Sequence, residues 1–117
     1  MTITPEQLQQ KMSEEDLLAC VLDVAKRFGW LVCHIRPARV MIKGVETWRT
    51  PYQGDNFFPD LCLARNGVVL LAELKSSTGK VSDGQREWLI AAHGDEWESL
   101  VLRPADWFSG RIEEMMK

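Results

Sequence analysis

The dipeptide Asn66-Gly67 constrains the fold of this chain more than any other feature, because it separates two apolar segments, residues 57–64 and 68–75. Each segment is long enough to form a strand. Asn-Gly between two such segments is typical of a two-residue type I′ turn, in which both central residues have a positive φ. The sequence therefore predicts an antiparallel hairpin whose register is set by its turn.

This register predicts that two acidic residues face each other. A two-residue turn pairs Arg65 with Val68, and counting outward from that pair places Asp60 opposite Glu73. Directly opposed side chains have Cβ atoms about 5 Å apart, and two negative charges at that distance destabilise a sheet. We therefore expect a positive group between the carboxylates, and a divalent cation is the obvious candidate.

Three further polar residues are expected at the same end of the sheet. Lys75 follows Glu73 by two residues and therefore shares its face of the strand. Glu14 continues the apolar stripe of a helix that is expected between Ser13 and Gly29. Gln85 belongs to an S-x-x-Q capping box and begins the inward face of the following helix. Because Mg²⁺ prefers oxygen ligands and polarises phosphodiesters, this cluster predicts metal-dependent phosphodiester chemistry.

The remaining pattern predicts an α/β domain. A short helix ending near residue 11 is expected within an N-terminal appendage, residues 1–12. Further strands are expected at residues 30–35 and 99–103, and small helices at residues 105–108 and 111–116. Residues 38–56 have no sustained hydrophobic period and are predicted to form a long loop. This order predicts a mixed sheet with helices on both faces.

Composition indicates one globular domain, residues 1–117. Hydrophobic residues make up 45% and charged residues 26% of the chain, which is ordinary for a globular protein. No apolar run approaches the length of a membrane span, and the first residues are polar, so we expect a cytoplasmic protein. The three cysteines, none in a C-x-x-C spacing, are predicted to be reduced core thiols.

Positive charge is concentrated in one stretch, although the chain carries a net charge of −3. Residues 34–53 contain four basic side chains against the single acid Glu46, with Trp48 and Tyr52 among them. This composition fits phosphate contacts and base stacking, and a solvated loop is the alternative. His34 either packs at a strand end or contacts substrate, and Lys80 is either solvated or contacts a phosphate. The candidate nucleic-acid-binding residues are His34, Arg36, Arg39, Lys43, Arg49 and Lys80.

Several motifs occur together along the chain. Phe58-Pro59-Asp60 is followed, after twelve residues, by Glu73-Leu74-Lys75. Ser13-Glu14 opens the first long helix, and Gln85-Arg86-Glu87-Trp88-Leu89 lies in the helix after the hairpin. This arrangement resembles the VRR-NUC branch of the PD-(D/E)XK nuclease superfamily, in the small stand-alone form of phages and bacteria. The resemblance covers roughly residues 13–110.

The resemblance implies a restriction-endonuclease-like fold, a three-layer α/β/α arrangement around a mixed four-stranded sheet. It implies that Asp60, Glu73 and the Leu74 carbonyl hold Mg²⁺ or Mn²⁺, and that Lys75 assists the attacking water. Glu14 matches the first-helix acid of the family and Gln85 its motif glutamine. One departure is visible, because the family has glycine in Gly-x-Pro-Asp, whereas Phe57 precedes Phe58-Pro59-Asp60 here and Gly54 is displaced.

The implied reaction is metal-dependent hydrolysis of DNA phosphodiesters, which leaves a 5′-phosphate and a 3′-hydroxyl. The resemblance further implies branched DNA such as Holliday junctions as substrate, a homodimer, and the cytoplasm of a bacterium or a phage-infected host. Trp97 and Trp107 are candidates for a dimer contact. Two alternatives stay open, a non-catalytic nucleic-acid-binding module on the same fold and a nonspecific DNA nickase.

Overall fold

The fold is described by a computed structural model of residues 2–35, 38–49, 53–95 and 97–117, with the backbone alone for residues 38–40. The described chain has a mixed α/β arrangement, in which five consecutive strands lie between helical segments. In chain order the elements are α1 (Pro5–Lys11), α2 (Glu14–Arg27), β1 (Leu31–His34), β2 (Ala38–Ile42), β3 (Val45–Arg49), β4 (Leu61–Arg65), β5 (Val68–Leu74), α3 (Asp83–Ala92), β6 (Trp97–Leu102), α4 (Pro104–Phe108) and α5 (Arg111–Met116).

Four strands form a mixed sheet in the order β1-β4-β5-β6. β4 is antiparallel to both β1 and β5, and β6 runs parallel to β5. The predicted hairpin register is confirmed, since Arg65 pairs with Val68 and Leu61 with Ala72. Asn66 and Gly67 have φ values of 51° and 83°, as a type I′ turn requires.

The hydrophobic core lies between one face of the sheet and helices α2 and α5. Strand alternation directs the core side chains of β4, β5 and β6 to the same face, where they meet the apolar stripe of α2. The largest fully buried apolar residues of this layer are Leu17, Leu61, Leu63, Leu102, Ile112 and Met116. Helix α3 contacts the opposite face, where Ser99 Oγ donates a hydrogen bond to the Leu89 carbonyl.

The prediction of a long loop at residues 38–56 is wrong for residues 38–49. β2 and β3 form a separate antiparallel hairpin, with Lys43 and Gly44 at its turn at φ values of 52° and 78°. Charged residues interrupt its apolar alternation, which is why no sustained period is visible in the sequence. Strand β4 also begins at Leu61 and not at residue 57, because Phe57 has a φ of 69° and Pro59 has no N–H for a ladder.

Three smaller predictions have clear outcomes. Helix α1 is confirmed and rests against α4, and the Gln9 carbonyl accepts a hydrogen bond of 3.1 Å from Ser77 Oγ. All three cysteines are free thiols, but the prediction of core positions is wrong, since Cys20 and Cys62 are half-buried outside the core and Cys33 is exposed on edge strand β1. Within the described residues, no helix is long and apolar enough to cross a membrane.

Gly67→Ala tests the turn on which the register depends. The added Cβ meets no atom within 4 Å, so its cost comes only from placing alanine at a φ of 83°, about 1–2 kcal/mol of unfolding free energy. Asn66→Gly is expected to change the free energy of unfolding by less than about 0.5 kcal/mol, because glycine tolerates the same φ.

Urea unfolding monitored by circular dichroism measures both changes. Gly94→Ala is the matched control, since its Cβ also meets open space while its φ lies outside the left-handed region. Equal stability of Gly67→Ala and Gly94→Ala would contradict a type I′ turn.

Candidate functional site

Two carboxyl groups meet where strands β1, β4 and β5 come together. Asp60 immediately precedes β4, and extending the observed register by one residue places it opposite Glu73 in a pair without ladder hydrogen bonds, where side chains approach most closely. The Leu74 N–H donates to Asp60 Oδ2 at 2.8 Å, and the Asp60 carbonyl accepts from the Ile35 N–H at 2.9 Å. Asp60 is therefore held by backbone groups of both neighbouring strands.

The Leu74 carbonyl is directed toward the same place. The N–H of Lys75 donates to the Leu102 carbonyl in β6 at 3.0 Å, and the N–H and C=O of one trans peptide point in opposite directions. The Leu74 carbonyl therefore points away from β6, toward β4. A continued ladder would offer it the N–H of residue 59, but Pro59 has no N–H to donate.

Glu73 is the one charged side chain among the buried residues of the described chain, with 3% of its surface exposed. Its pKa is raised from the ordinary value of 4.5 to about 8, and burial is the largest cause of this shift. The negative charge of Asp60, a hydrogen bond between the two carboxyls and the charge of Glu14 contribute to the raised pKa, whereas the charge of Lys75 lowers it. Near neutral pH Glu73 therefore keeps its proton.

The amide of Gln85 connects helix α3 to Glu73. Its oxygen accepts a hydrogen bond from the Ser82 N–H at 2.9 Å, which completes the predicted capping box, and its Nε2 donates to Glu73 Oε1 at 2.9 Å. A glutamine provides both an acceptor and a donor at this position, whereas a glutamate would keep the cap and lose the donor.

Lys75 and Glu14 complete the predicted cluster. Lys75 is half-buried, and its ammonium lies close enough to Glu73 to favour the charged carboxylate. Glu14, the first residue of α2 after the Ser13 cap, is exposed, yet its charge also reaches Glu73. The expected inward orientation of Glu14 is therefore met only in part. The structure brings together Glu14, Asp60, Glu73, Lys75 and Gln85.

Helix α3 also holds the segment that leads into Asp60. Trp88 Nε1 donates to the Asn56 carbonyl at 2.6 Å, and the Trp88 ring meets the Phe58 ring edge to face, with centroids 5.1 Å apart. Phe57, at the glycine position of Gly-x-Pro-Asp, has a φ of 69°. This segment therefore keeps the backbone geometry of a glycine in spite of the phenylalanine, at a cost in backbone strain.

Sequence reasoning missed some of the residues that shape this region. Arg103 Nη1 donates to the carbonyls of Ser76 and Gly79, at 2.8 and 2.7 Å, and so holds the loop that follows Lys75. An arginine after a strand gives no sequence signal for such a role. The Phe57 ring lies so close to Gly84 that a Cβ there would be 2.3 Å from it, and the sequence gives no signal for this approach because the two segments are distant along the chain.

The predicted nucleic-acid-binding residues are distributed over several parts of the fold. His34 is half-buried and lies opposite Leu61, on the core face of the sheet and not on the face of Glu73. Lys43 and Arg49 are exposed on the β2–β3 hairpin, and Lys80 is exposed in the loop after β5. Arg36 and Tyr52 lie outside the described residues, and only the backbone of Arg39 is described, in β2.

The donor set of the site is small. In the part of the chain that the structure describes, no three His, Cys, Asp or Glu side chains are grouped as a metal site. Asp60 and Glu73 nevertheless lie against each other, and the Leu74 carbonyl points toward the same side of β5 as the N–H that donates to Asp60. Two surface depressions are lined by residues around the Asn66-Gly67 turn and do not include the carboxyl cluster.

Comparison of the chain with protein-family models, with curated proteins and with solved structures gives no match. The resemblance to the VRR-NUC branch therefore stays a prediction that rests on the motifs quoted above.

A double-mutant cycle at Gly84 and Phe57 tests how α3 holds the segment before Asp60. A Cβ on Gly84 would lie 2.3 Å from the Phe57 ring, so Gly84→Ala should lower the free energy of unfolding by about 1–2 kcal/mol. In the Phe57→Ala background the clash is absent, and Gly84→Ala should instead add about 0.5 kcal/mol through its helix propensity. Urea unfolding measures all four proteins, and the same effect in both backgrounds would contradict the contact.

The raised pKa of Glu73 predicts how stability depends on pH. Between pH 4.5 and about 8 the unfolded chain loses the Glu73 proton while the folded chain keeps it, so this residue makes stability fall as pH rises. Glu73→Gln removes this contribution. The stability of the variant relative to the wild type should rise across that window, by at most about 1.4 kcal/mol per pH unit.

Urea unfolding in the presence of a chelator, at several pH values, measures this difference. Glu15→Gln, at an exposed position of α2, is the control and should show a constant difference from the wild type. A constant difference for Glu73→Gln as well would contradict the raised pKa.

Proposed function

We propose that this protein is a divalent-metal-dependent DNA endonuclease. The observation that carries the proposal is the pair of opposed carboxyls, Asp60 and buried Glu73, beside the ammonium of Lys75. A buried like-charge pair is costly to a fold, and such pairs with perturbed pKa values are concentrated at functional sites. A divalent cation would take the place of the Glu73 proton and neutralise both carboxylates.

Asp60, Glu73 and the Leu74 carbonyl would hold the ion, Mg²⁺ or Mn²⁺. These are hard oxygen ligands. Because Pro59 has no N–H, the Leu74 carbonyl has no ladder donor at that position. When bound, the ion supplies positive charge that polarises the phosphodiester. A three-oxygen protein set suits Mg²⁺, which usually keeps several waters and binds substrate phosphate as well.

The other residues of the cluster have distinct proposed roles. Lys75 orients the attacking water and stabilises negative charge on the phosphoryl oxygens. Gln85 is a positioning residue, since its amide holds one oxygen of Glu73 in place at 2.9 Å. Glu14 stands at the exposed rim of the cluster, where it would contact the ion or its waters. Hydrolysis would leave a 5′-phosphate and a 3′-hydroxyl.

The finer fold assignment belongs to this proposal. A restriction-endonuclease-like three-layer arrangement agrees with the mixed order β1-β4-β5-β6, with α2 and α5 on one face and α3 contacting the other. The position of Phe57 at a glycine-like φ supports the correspondence with Gly-x-Pro-Asp. The VRR-NUC assignment rests on these features and on the motif residues.

Branched DNA, a homodimer and a cytoplasmic location in a bacterium or phage-infected host are proposed from the resemblance. Trp97, half exposed on edge strand β6, is available for a dimer contact, whereas Trp107 packs partly on the core. Sedimentation at working concentration tests the dimer, and a fully active monomer would remove it.

Cleavage of a labelled four-way junction, compared with linear duplex, single strand and flap, tests the activity. With Mg²⁺ or Mn²⁺ the wild type should cut, and chelation should abolish cutting. Asp60→Asn and Glu73→Gln should each lower the rate on the order of 10²-fold or more, because each removes an ion ligand. Glu15→Gln is the matched carboxylate control and should cut as the wild type does.

The outcomes separate the alternatives. Paired cuts at the junction alone support a resolvase, and equal cutting of all forms indicates a nonspecific nickase. Wild-type cutting by Asp60→Asn would contradict the proposed site. DNA binding without cutting, unaffected by metal or by Asp60→Asn, would favour the non-catalytic module.

A further inference from the structure

The hairpin of residues 38–49, here called the arm, is separate from the rest of the fold. β2 and β3 pair only with each other, as a second sheet of two strands. Among the described elements, none packs on the arm to an extent that approaches the contact between its own strands. The radius of gyration of 15.7 Å exceeds the about 13 Å expected for a compact chain of this length, as a protruding arm requires.

Three of the described apolar side chains of the arm are largely exposed. Met41, Val45 and Trp48 are 69%, 64% and 62% exposed. An isolated two-stranded hairpin is only marginally stable in water, because too little surface is removed from solvent. Such a ribbon is therefore suited to gain its stability from a partner.

Charge indicates the chemistry of that partner. The arm contains three basic residues, Arg39, Lys43 and Arg49, against the one acid Glu46, whereas the whole chain carries −3. Lys43 is exposed at the tip, and Arg49 is exposed at the end of β3 near the base. A positive projection on an otherwise acidic protein is complementary to a polyanion.

The dimensions and the attachment of the arm indicate which polyanion. A five-residue strand is about 17 Å long, and the major groove of B-form DNA, about 12 Å wide and 8.5 Å deep, admits a two-stranded ribbon. The arm follows β1, whose next residue, Ile35, donates to the Asp60 carbonyl at 2.9 Å. The arm therefore begins three residues after a group that contacts Asp60.

We propose that the arm binds in the major groove of double-stranded DNA, next to the phosphodiester at the Asp60–Glu73 site. Lys43 at the tip and Arg49 near the base contact phosphates on the two sides of the groove, and the exposed face with Met41 and Trp48 covers base edges. The duplex orientation relative to the carboxyls rests on the proposed nuclease function, whereas the groove contact does not.

Fluorescence anisotropy with a labelled duplex, in a chelator so that no cutting occurs, measures the contact. The test variant is Lys43→Asn/Arg49→Gln, which creates an Asn-Gly turn and so keeps the hairpin favoured. The dissociation constant for duplex should rise at least tenfold. The slope of log affinity against log salt should fall by about 2, close to 0.9 for each lost phosphate contact.

Lys26→Gln/Arg27→Gln is the matched control, since it removes the same charge from the far end of α2. The control should retain wild-type duplex affinity. Competition by a major-groove dye, and not by a minor-groove binder, is also expected. Equal loss of affinity in both double variants would overturn the proposal and indicate only a bulk charge effect.

Cutting and sedimentation assays on the same proteins distinguish the two proposals. Arm-dependent duplex binding without metal-dependent cutting supports the arm and contradicts the nuclease. If the wild type cuts DNA and the arm variant binds duplex with wild-type affinity, the proposal for the arm is overturned and the proposal of a nuclease stands. A change from dimer to monomer in the arm variant, at unchanged duplex affinity, overturns the proposal in favour of self-association.

Discussion

The turn at Asn66 and Gly67 is the constraint on which the rest of this structure depends. Its type I′ geometry sets the β4–β5 register, and that register places apolar side chains on the α2 face and Asp60 opposite Glu73 on the other. A shift by one residue would exchange the faces of one strand relative to its partner, exposing core leucines and separating the two carboxyls. Core packing and the candidate site therefore depend on the same local geometry.

The candidate site places two acidic side chains where burial and mutual repulsion are unfavourable to the folded state. Burying Glu73 beside Asp60 raises its pKa to about 8, so the folded chain keeps a proton that the unfolded chain would release. Three devices hold the pair in place: the Leu74 N–H on Asp60, the Gln85 amide on Glu73, and the charge of Lys75. A cation between the carboxyls would remove the electrostatic conflict, which is the physical reason to connect this geometry with metal-dependent chemistry.

Helix α3 supports the site from two directions. Gln85 in its first turn contacts Glu73, and Trp88 one turn later holds the segment before Asp60 through the Asn56 carbonyl. Gly84 immediately precedes Gln85, and its missing side chain leaves room for the Phe57 ring. The packing of one helix thus offsets the backbone strain at Phe57 and fixes both carboxyl-bearing segments relative to each other.

Local features of the sequence determined the main turn, the helix caps and the opposed carboxyls, since each depends on hydrogen bonds between residues close in the chain or on counting from a turn. Only the tertiary structure decided that β6 lies parallel beside β5, that Phe57 takes a glycine-like φ against Gly84, and that residues 38–49 form an arm. These features depend on contacts between distant segments, or on a hairpin without a buried face, and neither leaves a periodic signal in the sequence.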